Sequence, residues 1–329
     1  MRAKTPDMTF ESVKQLVVDD LREVDHVIRR HLSSDVVLVN QVAEYIVGSG
    51  GKRLRPLVTV VAARACGLKD SRHTVAAAII EFIHTATLLH DDVVDGSQLR
   101  RGRDTANSVW GNEASVLVGD YVYSRAFEMM VGLGSMRIMD VMASATNKIA
   151  EGEVLQLMNA HDPGTTEQRY FDVIYRKTAK LFEAGTQVAA ILAEAPASIE
   201  TAMLRYGRHL GTAFQLIDDV LDYRSNREEL GKNLGDDLAE GKPTLPLIYA
   251  LAHGTAEQRK SIEHAIENGS SADLANITAA IESTGGLAYT ARLARREATA
   301  AIEALAELPE SAHKQALREL ADFSVDRSY

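Results

Sequence analysis

Six aspartates, arranged as two copies of one pattern, carry the densest chemistry in this chain. Asp91, Asp92 and Asp95 stand in "DDVVD"; Asp218, Asp219 and Asp222 stand in "DDVLD". In a helix, the first and last aspartate of each pattern are four residues apart. Both then project from one face, with the middle one alongside. Like charges at that spacing destabilise a helix by roughly 0.2–0.5 kcal/mol per pair. The apolar runs "FIHTATLL" and "TAFQLI" lead into the two patterns, so both acidic sets emerge from core-forming helices. Partly buried carboxylates without partners are costly, and a cation should neutralise them. One such triplet is easily a solvated helix end; two of identical spacing, both in apolar settings, point to a site. The ligands are all oxygen, which selects a hard ion such as Mg²⁺ or Ca²⁺ over zinc or copper. The glycine and terminal glutamate of a calcium-binding loop are absent. Mg²⁺ takes one or two carboxylates and completes its shell with water and substrate phosphates, so facing triplets with phosphate between them fit it.

Basic residues are placed to meet that phosphate. "GGKRLRP" at 50–56 crowds Lys52, Arg53 and Arg55 around a helix start, a natural anion site. Arg100, Arg101 and Arg103 follow the first triplet within one loop. Lys177 is followed by Thr178 in "YRKTAK", and Lys232 and Lys242 sit in "LGKNLGDDLAEGKPT". Any one of these is ordinary surface charge when taken alone; together they balance a carboxylate-rich site. His84 lies seven residues before Asp91, two turns away on the same face, and His90 directly precedes the triplet. A lone histidine on such a helix is more often a core residue than a ligand.

The elements that position these residues read as helices. Apolar positions recur at helical spacing nearly everywhere, and only seven prolines interrupt 329 residues. Helices are expected over 8–31, 37–48, after Pro56, from about Ser71 to Asp95, and over 113–132, 136–159, 165–194 and 197–223. Several shorter ones fill 243–321. "VVLV" at 36–39 and "SVLVGDYVYS" at 115–124 are rich in β-branched residues but lack alternating partners, so both are read as buried helix. The length exceeds the roughly 100–200 residues usual for a domain. Nothing resembles a linker, however, and one all-helical domain over residues 1–329 is expected.

A net charge of −10 argues against nucleic acid as a partner. Cys66 is the only cysteine, which suits a reducing, cytoplasmic setting. No signal peptide and no membrane span is expected.

In order along the chain, "GGKRLRP", "DDVVD" with "RRG", "KT", "FQLIDDVLDY" and "GKNLGDDLAEGKPTLP" resemble the motifs of the trans-isoprenyl diphosphate synthases. "EFIHTATLLHDDVVD" and "GEVLQL" resemble the long-chain polyprenyl synthases among them. The resemblance covers most of the chain, and no motif position departs from it. It implies an all-α fold: a single large bundle of long antiparallel helices around a deep central cavity, of isoprenoid synthase type, usually a homodimer. It implies head-to-tail condensation of isopentenyl diphosphate onto an allylic diphosphate such as farnesyl diphosphate, with two or three Mg²⁺ ions. The product it favours is octaprenyl diphosphate, for quinone side chains, over heptaprenyl, nonaprenyl, decaprenyl or geranylgeranyl chains.

By the same resemblance, Asp91 and Asp95 bind the ions that grip the allylic diphosphate, Asp218 supplies the opposite side, and Asp92, Asp219 and Asp222 support them. Arg100, Lys177, Thr178 and Gln215 contact the allylic substrate. Lys52, Arg55, His84 and Arg101 hold isopentenyl diphosphate, and Lys232 joins the substrate-binding set. A terpene cyclase needs no isopentenyl site, which "GGKRLRP" and His84 speak for. A silent synthase subunit loses aspartates, and all six are here.

Product length is expected to follow pocket depth. Thr87 and Ala86 precede Asp91 by four and five residues, which places them about 6–7.5 Å below the metal site. Their small size leaves the pocket open. Met130 and Met142 are candidates for its floor, against the plainer reading of core packing.

Overall fold

The computed structural model describes residues 9–48, 51–100, 102–224 and 235–326. Its architecture is helical throughout, as the motif resemblance implies, apart from one short hairpin. The expected helix over 8–31 is two helices, α1 (Phe10–Leu16) and α2 (Val18–Leu32). Val17 breaks them with φ −124° and ψ 28°, while its side chain stays buried. The Thr9 hydroxyl accepts from the Ser12 amide and caps α1. α3 (Val37–Gly48) starts inside "VVLV", so the helix is there but the expected burial is not: Val37 is 68% exposed. α4 (Leu54–Ala65) begins two residues before Pro56, which sits in the first turn where its missing N–H costs nothing. α5 (Arg72–Val94) matches the long helix expected behind the first triplet.

After α5 comes an antiparallel hairpin, β1 (Leu99–Arg100) and β2 (Arg103–Asp104), with Arg100 opposite Arg103. α6 (Ala106–Trp110), α7 (Asn112–Gly132) and α8 (Met136–Asn159) follow. "SVLVGDYVYS" lies within α7 and is buried on one side only: Val118 and Val122 are in the core, whereas Leu117 is 68% exposed. The stretch expected as one helix over 165–194 is α9 (Glu167–Ile174), a π-helical turn (Tyr175–Ala179) and α10 (Lys180–Leu192). α11 (Ala197–Arg224) carries the second triplet. The remainder is α12 (Asp236–Ala239), α13 (Leu245–His253), α14 (Ala256–Asn268), α15 (Leu274–Thr284), α16 (Gly286–Ala304) and α17 (Ala312–Val325).

The largest apolar core joins α2, α4, α5, α7, α8, α10, α11 and α17. A smaller one lies under α13–α15, against the end of α11. Each fully buried Leu, Ile or Phe there contributes about 1.5–3 kcal/mol relative to exposure. Tyr206 on α11 is wholly buried and donates to the Leu317 carbonyl of α17 (2.8 Å), tying the C-terminal helix to the centre.

Two glycines let the π turn sit where it does. A Cβ on Gly152 of α8 would lie 2.7 Å from Arg176 Cβ and 2.8 Å from the Lys177 amide nitrogen. On the other side, a Cβ on Gly211 of α11 would lie 2.6 Å from Ala179 Cα. π turns occur often at functional sites, and this one carries Lys177 and Thr178.

Candidate active site

A cavity of about 730 Å³ opens between α4, α5, α8, the π turn, α11 and the loop that follows α12. Asp91 and Asp95 line one side; Asp218, Asp219 and Asp222 line the other. The two acidic sets therefore share one space and do not point apart into solvent.

Each carboxylate of the first set already has a cation. Lys177 Nζ lies 3.2 Å from Asp91 Oδ2, and Lys242 Nζ lies 2.8 Å from Asp95 Oδ2. Asp92 does not line the cavity. It is 1% exposed and its Oδ1 accepts from Arg100 Nε (2.8 Å) and Nη2 (2.6 Å). Its Oδ2 is buried with no hydrogen-bond partner. Arg100, on the hairpin, thus holds the middle aspartate behind the wall that the outer two form.

Lys177 is shared further. Its Nζ donates to Glu153 Oε2 (2.5 Å) and Gln156 Oε1 (2.8 Å) on α8. Burial pushes the Glu153 carboxyl up to about 7, with Lys177 opposing and Asp91 adding to the rise. Burial alone would lower the Lys177 pKa; Asp91 and Glu153 outweigh it and raise it. Lys242 behaves alike, raised against burial by Asp95, Glu240 and Asp237. Its second partner, Glu240, lies 2.5 Å away and is itself pushed up by burial.

The second triplet is organised by hydrogen bonds. Tyr170 Oη donates to Asp219 Oδ2 (2.5 Å) and Gln215 Nε2 donates to Oδ1 (2.8 Å). Thr178 Oγ1 donates to Gln215 Oε1 (2.8 Å), so one chain of bonds runs from α9 through α11 to the π turn. Burial holds the Asp219 carboxyl well above its ordinary range, with Asp237 adding to the rise and the two hydrogen bonds opposing it.

On the α4 side, Lys52, Arg55 and His84 all line the cavity. Arg55 Nη1 donates to His84 Nε2 (3.1 Å), and the Arg55 guanidinium lies 4.8 Å from the centre of the Phe182 ring. Arg53 adopts the left-handed conformation (φ 45°) and pairs with Asp25 of α2. Arg101 and Lys232 lie outside the described residues. Thr87 lines the cavity, whereas Ala86, Met130 and Met142 are buried in the main core, which the cavity as it stands does not reach.

Sequence reasoning passed over Glu153, Gln156, Tyr170, Asp237 and Glu240. "GEVLQL" held a signal, since Glu153 and Gln156 share a helical face at i, i+3. Asp237 and Glu240 have the same spacing in "GDDLAEGK". Nothing local marks Tyr170.

Among the described residues, no group of three or more His, Cys, Asp or Glu side chains stands ready to hold a metal ion. Lys177 and Lys242 lie against Asp91 and Asp95. Hard oxygen donors that already draw cations suit Mg²⁺, which needs only one or two carboxylates once phosphate and water complete its shell.

An all-α bundle whose central cavity sets two acidic helices against surrounding basic groups is the architecture of an isoprenyl synthase. Residues 36–283 match the sequence model of the family described as Polyprenyl synthetase. The octaprenyl diphosphate synthase of Escherichia coli (strain K12) is 53% identical over 321 residues, covering 97% of this chain and 99% of that protein. That of Haemophilus influenzae is 52% identical, covering 98% of each. The crystal structure of a polyprenyl synthase from Caulobacter crescentus CB15, complexed with calcium and isoprenyl diphosphate, superposes with a TM-score of 0.94. It shares 45% identity and covers 98% of this chain and 99% of that one. The chain belongs to the polyprenyl synthetase family, and it is a prenyltransferase.

Proposed function

We propose that this enzyme condenses isopentenyl diphosphate head-to-tail onto an allylic diphosphate such as farnesyl diphosphate, and that its product is octaprenyl diphosphate for quinone side chains. The observation that carries the reading is the shared cavity, where both aspartate sets face Lys177 and Lys242. The eight-unit length rests on the two relatives named above, 53% and 52% identical and both octaprenyl diphosphate synthases.

Asp91, Asp95 and Asp218 would hold two or three Mg²⁺ ions, which supply charge stabilisation for the departing diphosphate. The chain's own residues do the rest. Lys177, Thr178, Gln215 and Arg100 orient the allylic diphosphate, with Lys177 donating to oxygens that gain charge as the C–O bond breaks. Asp92 fixes Arg100, and Asp219 fixes Gln215. Asp222 adds charge beside Asp218, and Lys232 and Arg101 join the substrate-binding groups. Lys52, Arg55 and His84 hold isopentenyl diphosphate with its double bond beside the cationic carbon, which lowers the barrier by proximity. Apolar walls near Leu54, Phe214 and Val173 exclude the water that would quench that cation. The proton is then lost to the departed diphosphate.

The growing chain extends past Thr87 and Ala86 toward Met130 and Met142. Those buried side chains must give way to it, and methionine is suited to that by its flexibility. We place the whole activity in one helical domain, residues 1–329, acting as a homodimer in the cytoplasm. The exposed apolar side chains Leu117, Val131, Met136, Val154 and Leu157 on α7 and α8 support a second copy. The lone, half-buried Cys66 suits a reducing compartment.

Incubation of the purified chain with labelled isopentenyl diphosphate, farnesyl diphosphate and Mg²⁺, followed by sizing of the product, tests the reading. A C40 product is expected. No elongation at all would overturn it, and another length would overturn the octaprenyl assignment alone.

A further inference from the structure

Lys52 sits on a stretch with no helix to hold it. It follows Gly51, whose φ is 131°, and precedes Arg53, itself left-handed. Its position must therefore be set by what surrounds it. Arg53 anchors one side by pairing with Asp25 of α2. On the other, Lys52 Nζ lies 5.2 Å from the centre of the Phe323 ring on α17. Phe323 in turn stacks on Phe10 of α1, with centroids 4.2 Å apart and planes 14° from parallel. Lys14 Nζ covers the outer ring at 4.7 Å from the Phe10 centroid. The order is Lys14, Phe10, Phe323, Lys52: two stacked rings between two ammonium groups.

A ring face attracts an ammonium ion at such distances, and the attraction is stronger where water is thinned. Phe10 and Phe323 are both half-buried; Phe10 packs against the main core, which α17 joins through Leu317 and Leu320. We infer that Phe323, braced by Phe10, is a positioning residue that sets the Lys52 ammonium group at the cavity rim and so raises affinity for isopentenyl diphosphate. The first and last helices of the described residues meet at this clasp, so α1 and α17 act on substrate binding without touching substrate. The inference rests on the assignment of Lys52 to isopentenyl diphosphate made above.

The test is steady-state kinetics on the full chain with each substrate varied in turn. Phe323→Leu keeps apolar volume and removes the ring face. It is expected to raise KM for isopentenyl diphosphate about threefold to tenfold, the loss that one cation–π contact supports. The allylic KM and kcat should stay unchanged, as for an interaction lost equally from ground and transition states. Phe323→Tyr, which keeps the ring, should restore the parent KM. Phe10→Leu should give a smaller rise in the same constant.

Lys52→Ala is measured beside them. If it leaves KM for isopentenyl diphosphate unchanged, the assignment of Lys52 fails and the clasp with it. If it raises that KM while Phe323→Leu does not, the clasp alone is overturned. Equal rises for Phe323→Leu and Phe323→Tyr, or a matching rise in the allylic KM, also overturn it.

Discussion

Lys177 is shared among three oxygen atoms, one each from Asp91, Glu153 and Gln156. Two of its partners are carboxylates, and their charges hold its ammonium form against the cost of burial. Asp91→Ala removes one carboxylate and, in the proposed reaction, a metal ligand. Turnover is expected to fall by at least about 10²-fold while the far-UV circular dichroism stays intact. Near-parent turnover at saturating Mg²⁺ would exclude Asp91 from the reaction.

Glu153 allows a prediction with a sign. Its carboxyl, ordinarily near 4.5, is pushed up to about 7. Between those values the native protein binds more protons than the unfolded chain, so this group makes the native state less stable as pH rises through that window. Glu153→Gln should flatten the decline. Thermal unfolding of the metal-free protein from pH 4.5 to 7.5 checks it, and an unaltered slope would contradict the burial of this carboxyl.

At the scale of elements, the aspartate sets were legible because a helix repeats: spacing of four, twice, behind apolar runs, fixes a face without knowledge of the fold. Glu153 and Tyr170 were not legible as site residues, because their partners come from helix–helix packing. Lys177 reaches Glu153 only because Gly152 lets α8 approach the π turn. The burial of "VVLV" was misjudged because hydropathy reports what a face prefers, and the described residues leave Val37 uncovered. The break at Val17 had no proline or glycine to announce it. Gly152→Ala places a methyl group against backbone and should cost about 1–3 kcal/mol of stability. It should also displace Lys177, lowering kcat more than does an alanine at the exposed Gly132, where nothing lies within 4 Å. Equal kcat in the two variants would mean that the close approach does not position Lys177.

Ala86→Phe belongs to the same scale. It puts a ring at a wholly buried position of α5, in the same core as Met130 of α7 and Met142 of α8. A shorter product is expected by chromatography; an unchanged distribution would remove Ala86 from the chain's path.

Across the whole molecule, the acidic sets come from helices far apart in sequence, and the loop after α12 reaches the first of them through Lys242 and Asp95. A ligand that engages both sides should stabilise the native state as a unit, because binding to the folded form alone raises its stability. Pyrophosphate with Mg²⁺ is expected to raise Tm by more than the sum of the two added singly. Additive shifts would mean that the two acidic sets do not share a ligand. A chelator should abolish turnover, and restored Mg²⁺ should recover it.

The two lysines that neutralise Asp91 and Asp95 also decide how the catalyst is charged for work. With Asp91 and Asp95 already matched, that wall of the cleft has little appetite for stray cations. In the proposed reaction, an ion held by Asp91 or Asp95 would take the place of the ammonium group there, and a diphosphate would receive that group. Loading would then be an exchange of partners in which ion and substrate enter as a couple, each making room for the other.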